Sequence, residues 1–510
     1  CSGEESGTAR TCAQRNTLEK MNLLAMSLVS AAALSFSSCS SNDDLTSGGG
    51  TQSQADGVYM TLKISGATSH GTRTSVTDGK TTTDNGNEAE STITEGMMYI
   101  YDGNTCVFRK VITKDMFKTP PTQTAAGVTM PIKVAVTGAI TTNKAYHVYF
   151  LANNTSVTDP LAAGASFAAS TTGGADYATV KKFVMFNQND GTKNAAHSTV
   201  TFTDAAKSKD NPAHADEIKL DRVVARIDNP LFAETAKTVD DAAAGTTKNV
   251  ADVLAGFDYV GYAASNLNNN SYVMQNWADN FATLNVKWGE PATKYFQPKS
   301  DFGTKYEPEN LDKFGTDNTY AFENTTTDVD DATAVYFQIK AKLKDAAKAT
   351  ADFKDGTFYR YDGRLYTSIQ AIFDDAATGA IVNPFNLLTV DQVLAKIKDG
   401  TTGKLITDET KLADFRETYK IEVYREGMMY YRWAISDNAY KPFFESETTH
   451  TYSVLRNSIY RLNVTKINEI GKDVPNGPDP TDPSKNPNYY MDVTVKINPW
   501  VLNTKDIELK

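Results

Sequence analysis

Nucleophilic, metal and acid–base chemistry each need particular side chains at particular spacings, and this 510-residue chain offers few of them. Its four cysteines are Cys1, Cys12, Cys39 and Cys106, which form neither a disulfide framework nor a Cys-x-x-Cys pair. The five histidines, His70, His147, His197, His214 and His450, stand apart, none at metal-ligand spacing from another. There is no Gly-x-Ser-x-Gly elbow, no His-Glu-x-x-His, no P-loop and no glycine-rich dinucleotide turn after a strand. Carboxylates are plentiful, but with 62 acidic residues a pair of them says nothing. The chain therefore reads as a protein without catalytic residues, cofactor or metal. Asp328-Val329-Asp330-Asp331 lacks the glycine and closing glutamate of a calcium loop and reads as a solvated acidic loop. Tyr430, Tyr431 and Trp433 read either as a sugar-stacking platform or as core and cross-strand packing, the commoner use of aromatics within a strand.

Two residues are candidates for covalent change. Cys39 ends an apolar run, 21–38, of signal-peptide length, with Arg15 and Lys20 just upstream as a positive flank. The run is short for a membrane span, and Phe36-Ser37-Ser38-Cys39 resembles the lipobox of bacterial lipoproteins, with phenylalanine in the place usually held by leucine. The other reading is a buried apolar helix with an incidental cysteine. Residues 1–20 fit neither and look like an upstream extension of the reading frame, with Met21 near the start. After Cys39 the polar, glycine-bearing stretch 39–56 reads as a tether, and its Ser40-Ser41-Asn42-Asp43-Asp44 resembles the surface-export signal of Bacteroidetes lipoproteins. The second residue is Arg73, the only arginine of a small, polar loop that runs from Gly66 to about Asn87, the kind of loop proteases enter. It reads as a cleavage point before Thr74 or as an ordinary exposed arginine.

These residues sit among strands. With 25 Tyr, 23 Phe and abundant Thr and Val, and no long stretch of 3.6-residue period, the chain reads as mainly β. A net charge of −11 and dispersed lysines exclude nucleic acid as a partner. Val58, Met60, Leu62 and Ile64 alternate with polar neighbours on one strand, and Met491, Val493, Val495 and Ile497 do the same on another near the C-terminus. The second stands beyond a proline-rich spacer, 475–487, and reads as a strand outside the fold that can fill the same four pockets as the first. Folding back onto its own domain is the other reading. Further strands are expected at 97–101, 107–112, 130–136, 146–151, 183–186, 199–203, 218–227, 257–263, 334–343, 357–361, 419–424, 428–433 and 458–466, with a short helix near 390–398. Asp228-Asn229-Pro230 marks a break, placing domains at 57–228 and 229–474 and a tail at 475–510.

Several motifs together resemble the fimbrillins of Bacteroidales, the FimA and Mfa-like shaft subunits. They are Met428-Met429-Tyr430-Tyr431-Arg432-Trp433, Val454-Leu455-Arg456-Asn457-Ser458-Ile459-Tyr460-Arg461-Leu462, the stretch 467–471, and Asn498-Pro499-Trp500 in the tail. In the first half, Leu220-Asp221-Arg222-Val223-Val224-Ala225-Arg226 is similar to the strand that closes the family's first domain, and 57–73 to its removable first strand with the arginine. The resemblance implies two transthyretin-like β-sandwich domains with a C-terminal donor-strand extension, made as an outer-membrane lipoprotein carrying palmitate on Cys39. It implies an arginine-specific surface protease that cuts between Arg73 and Thr74 and removes the strand of Val58, Met60, Leu62 and Ile64. The tail of another copy or of an accessory fimbrillin, through Met491, Val493, Val495, Ile497 and Trp500 and a following strand at 501–509, would fill the vacancy. The implied role is a structural subunit of a cell-surface fimbrium that supports adhesion and biofilm formation. A tip or accessory adhesin, or a surface glycan-binding lipoprotein, is the alternative, and a donor-like tail favours the shaft because a tip has no outward neighbour.

Overall fold

The structure is a computed structural model that describes residues 57–66, most of 90–274 and 314–474, and 491–499. Cys1, Cys12, Cys39, Arg73, Thr74, the spacer 475–487, Trp500 and the 501–509 strand lie outside the described residues, as do Asp328, Asp330 and Asp331 of the acidic run. The chain is mainly β, in several sheets.

The largest sheet has, among the described residues, ten strands. Its path runs Thr105–Ile112, Gly96–Asp102, Lys144–Ala152, Met185–Asn187, Ile218–Arg222, Gly57–Gly66, Gly127–Thr137 and Thr122–Thr124, with Ser198–Phe202 paired to Lys144–Ala152 and Ala213–His214 to Gly57–Gly66. These strands contribute large apolar groups such as Met98, Ile100, Phe150 and Phe186 to the first core. The segment expected to be one strand at 218–227 is two. Ile218–Arg222 belongs to the first sheet and Ala225–Ile227 to a second, and Val223 and Val224 between them are fully buried. The hand-over lets a single apolar run serve two cores. The 183–186 run is likewise split, Lys182–Phe183 pairing in a small hairpin and Met185–Asn187 in the large sheet.

In the second half, Ser458–Ile467 is central. It pairs in parallel with Ala225–Ile227 and Leu231–Phe232 on one side and antiparallel with Met491–Pro499 on the other. Leu254–Ser265, Ala334–Leu343 and Met428–Ala434 form an antiparallel sheet over the same core. The sequence showed no sustained helical period, yet residues 345–421 carry a compact set of helices with a core of their own around Ile372, Phe385, Val393, Leu412 and Phe415. Their starts are capped: Ser368 Oγ accepts from Ala371 N, Asp408 Oδ1 from Lys411 N, and Thr389 with Gln392 makes a reciprocal capping box. The expected helix near 390–398 is Val390–Leu394. The expected strand at 419–424 begins instead as the end of the Glu409–Tyr419 helix, because Leu412, Phe415 and Tyr419 share one buried face. The helix stops at Lys420, whose φ is +56°, and the strand starts at Glu422.

Among the described residues no helix is long and apolar enough to cross a membrane, and no cluster of His, Cys, Asp and Glu can hold a metal. Burial pushes the phenols of Tyr149, Tyr262 and Tyr430 up to about 12. A free phenol titrates near ~10, so the unfolded chain ionises first. The stability these groups contribute is complete below that pH and is lost as pH rises toward 12. Titration followed by phenolate absorbance should show these tyrosines ionising late and together with loss of tertiary structure. Ionisation of every tyrosine near the free value with the fold intact would contradict the buried placement.

Candidate assembly site

Gly57–Gly66 is an interior strand. On one side it pairs antiparallel with Gly127–Thr137, Val58 facing Val136, Met60 facing Val134 and Leu62 facing Ile132, with a bulge at Leu62. On the other it runs parallel to Ala213–His214 at Met60 and Thr61 and to Ile218–Arg222 at Ile64 to Gly66. The Thr61 hydroxyl meets His214 Nδ1 at 2.7 Å, and Ala215 N donates to Thr61 O at 3.2 Å. The expected alternation holds in space: Val58, Met60, Leu62 and Ile64 are at most 5 % exposed and belong to the first core. Each such side chain stabilises by roughly 1.5–3 kcal/mol relative to exposure. Taking this strand out leaves four pockets and two unpaired ladders, one on each flank, and buried backbone groups without partners are costly.

The tail does not stand outside the fold in this structure. Met491–Pro499 lies along Ser458–Ile467, Met491 opposite Ile467 and Pro499 opposite Ser458, with a register shift between Val464 and Lys466. The physical reason is the free edge that Ser458–Ile467 offers on the side away from Ala225–Ile227, a ready template for a strand of matching alternation. Among the described residues the tail strand has this one neighbour, whereas Gly57–Gly66 has neighbours on both sides. The structure thus brings the four residues of each alternating set onto one strand but places the two strands in different sheets.

The root of the tail, Glu469 to Asp473, is tied down. Tyr431 Oη donates to Glu469 O at 2.9 Å and accepts from Gly471 N at 3.0 Å, and Tyr424 Oη donates to Gly471 O at 2.9 Å. Tyr430 and Lys472 exchange backbone bonds. Arg416 Nε donates to Asp473 Oδ2 at 2.5 Å, and the same carboxylate oxygen accepts from Val423 N at 2.8 Å. Burial pushes the Asp473 carboxyl up, and Arg416 opposes the shift. A β-carbon on Gly471 would stand 2.7 Å from the Tyr431 ring, so only glycine lets the ring lie on the chain. Tyr430 and Tyr431 are 3 % and 2 % exposed and serve as packing, not as an open platform.

The remaining motif residues join the two halves. Asn457, at φ +56°, donates through Nδ2 to Asp221 at 2.6 Å and through its backbone N to Val224 O at 2.8 Å, and its Oδ1 accepts from Arg222 Nη1 at 3.2 Å. Arg456 Nε donates to Glu323 at 2.7 Å and its Nη atoms to the carbonyls of Tyr272 and Val273. Arg226 donates Nη1 to both oxygens of Glu90, at 2.8 and 2.9 Å, and Nε to Asp228 at 2.6 Å; Tyr320 also donates to Glu90. Sequence reading found the Arg-Asn pair but not this joint. The signal was there in two charged residues, Arg222 and Arg226, inside an apolar run, since a buried guanidinium demands fixed partners. Cys106 is half-buried, its thiol donating weakly to Phe108 O at 3.6 Å, and burial pushes that thiol up, which suits an unreactive side chain.

The site so built is an interior strand with four buried alternating side chains, an anchored tail root and a hydrogen-bonded joint between the halves. The family model for the C-terminal part of fimbrillin, the major fimbrial subunit protein type IV, matches residues 422–506, and the chain is fimbrillin-like. No curated protein matches the chain. Among solved structures it is similar to a fimbrilin, FimA, from Porphyromonas gingivalis, with a TM-score of 0.41 and 13 % identity over 87 % of this chain and 98 % of that one. The tip fimbrial protein Mfa3 from the same species, with a C-terminal truncation, gives 0.33 and 11 % over 87 % of this chain and 100 % of that one. At identities and scores this low the likenesses decide nothing about partners or activity.

Met60→Ala should lower unfolding stability by about 2–5 kcal/mol, the usual loss for a large side chain removed from a full core, measured by urea denaturation of the uncut chain. Gly471→Ala should cost roughly 1–3 kcal/mol through overpacking against Tyr431; a neutral effect would mean the ring does not rest on the chain there.

Proposed function

We propose that the protein is a structural subunit of a cell-surface fimbrium, made of two β-sandwich domains and polymerised by exchange of strands between copies. One observation carries this reading. Gly57–Gly66 is an interior strand with four buried alternating side chains, and the tail strand, with the same alternation, is held in its own subunit by a single ladder. Release of the first strand opens a slot with two ladders and four apolar pockets. A tail from another copy that enters it exchanges one ladder for two and buries Met491, Val493, Val495 and Ile497, worth roughly 1.5–3 kcal/mol each. When the tail enters the slot of another copy rather than its own, the pairing is head-to-tail and grows as a filament.

Release has its trigger in sequence. The first strand is tied to the membrane through Cys39 and to the rest of the chain through the loop with Arg73; a cut between Arg73 and Thr74 lets strand and lipid anchor leave together. Glu90, held by Arg226 and Tyr320, keeps the chain downstream of the cut fixed to the joint. The precursor is then an outer-membrane lipoprotein and the product a fimbrium that serves adhesion and biofilm formation, with accessory fimbrillins as further partners.

Treatment of the purified chain with an arginine-specific protease, followed by electron microscopy, should give filaments, and Arg73→Ala should leave monomers. Val493→Asp with Val495→Asp should abolish assembly while the monomer still folds; filaments of unchanged length from that variant would sink the donor assignment.

A further inference from the structure

The slot that Gly57–Gly66 occupies does not accept a strand in every placement, because its walls are not uniform. Val58, Met60, Leu62 and Ile64 mark four buried apolar places. One further place rejects a side chain. A β-carbon on Gly57 would stand 2.8 Å from Val136 O on the neighbouring strand, so any other residue there pushes on fixed backbone. On the polar side, Thr61 is in register with His214, and its hydroxyl meets His214 Nδ1 at 2.7 Å.

Met491–Pro499 is a strand of 9 residues, and period-2 alternation limits how it can be laid along those places. Run in the direction of the first strand with Met491 at Val58, it brings Met491, Val493, Val495 and Ile497 to the four apolar places. No residue of the strand then falls at Gly57. Pro499, which cannot donate to a ladder, falls at Gly66, the last place. Slid by two so that Val493 takes the place of Val58, the strand sets Asp492 on Gly57 and Pro499 in the place of Ile64. Slid the other way, it fails to reach the place of Val58 and overruns Gly66. Run in reverse, it sets Lys496 or Asn498 on Gly57, or Pro499 in an apolar place. One placement meets every constraint, and it also repeats the polar side: Thr494 takes the place of Thr61, and Lys496 that of Lys63.

Resting on the donor reading above, we infer that the tail of one copy seats in another in this single register, parallel to Ile218–Arg222, with Thr494 set against His214 of the accepting copy as the specificity-determining pair. Met491 then faces Val136, Val493 faces Val134 and Val495 faces Ile132, the partners that the first strand holds in the uncut chain. The apolar places alone would take any strand of aliphatic alternation. The boundary at Gly57 and the threonine opposite His214 narrow the choice to a strand that starts and is patterned as this one is. His214 is exposed, so its bond to a threonine competes with water and selects more than it binds.

The test uses the full Val493→Asp, Val495→Asp chain cut by an arginine-specific protease, whose own tail stays out of the slot, and a labelled tail peptide, residues 488–510. Ala135→Cys with Cys106→Ser in the chain and Asp492→Cys in the peptide should give a disulfide. Asp492 takes the place of Tyr59, which is opposite Ala135, and opposite residues of an antiparallel pair stand about 4.5–5.5 Å apart at Cα. Peptides with Thr494→Cys or Lys496→Cys should not cross-link to that chain. Thr494→Val should weaken capture about threefold to tenfold in a slot with His214 and leave capture unchanged in a His214→Ala slot. Cross-linking through Lys496→Cys would mean a reversed strand and through Thr494→Cys a shifted one, and either overturns the inference while strand exchange stands. Equal loss from Thr494→Val in both slots would overturn the pairing with His214. A slot that takes up no unmodified peptide would instead remove the donor reading, and this inference with it.

Discussion

Everything in this molecule depends on a strand that is interior to its sheet, with a hydrogen-bonded neighbour on each side. Gly57–Gly66 completes two ladders at once, antiparallel to Gly127–Thr137 and parallel to Ala213–His214 and Ile218–Arg222. An edge strand can fray at the cost of one row of bonds, but an interior strand cannot leave without exposing two, and four core side chains leave with it. The fold therefore has a strong preference for that slot to be full. What distinguishes candidates is the match of alternation and length, and the tail supplies four apolar positions at the same spacing.

The joint between the halves makes this preference useful. Arg222, Arg226, Arg456 and Asn457 are buried with specific partners drawn from both halves, including Glu90, Asp221 and Glu323. Buried ion pairs contribute little net stability compared with apolar packing, but breaking one partner is costly, so they specify a single arrangement. Here that arrangement sets the distance between the slot in the first sheet and the root of the tail in the second. The tyrosines over Gly471 and the Arg416–Asp473 pair do for the tail root what Asn457 does for the joint.

How much of this was legible in the sequence varied with the kind of signal. The strands with clear period-2 alternation, 58–64 and 334–343, are where the pattern puts them. The 218–227 stretch was misjudged as one strand: Ile218, Leu220, Val223 and Val224 pack in the first core, while Ala225 and Ile227 pack in the second as the chain changes sheets. Of the helices of 345–421 only the one near 390–398 was expected, and the others were missed for another reason. They are short, five to eleven residues, too brief to build a visible 3.6-residue period, so their caps were better evidence than their faces. Ser368, Thr389 and Asp408 each stand just before a helix with the expected hydrogen bond. The roles of Arg456 and Asn457 are invisible from sequence because their partners lie more than a hundred residues away, on Glu323 and Asp221.

For the exchange proposed above, the tail's position in its own subunit sharpens the energetics rather than opposing them. Packed on Ser458–Ile467, the strand is already extended, and its conformational entropy has already been given up before it meets another copy. It also covers a free edge that would otherwise invite indiscriminate pairing. Exchange then compares two ordered states, one ladder at home against two ladders and four pockets abroad, and the difference grows only when the slot is empty. On the proposed reading an uncut neighbour offers no slot, so the tail stays on its own edge, and control of assembly would lie with the first strand.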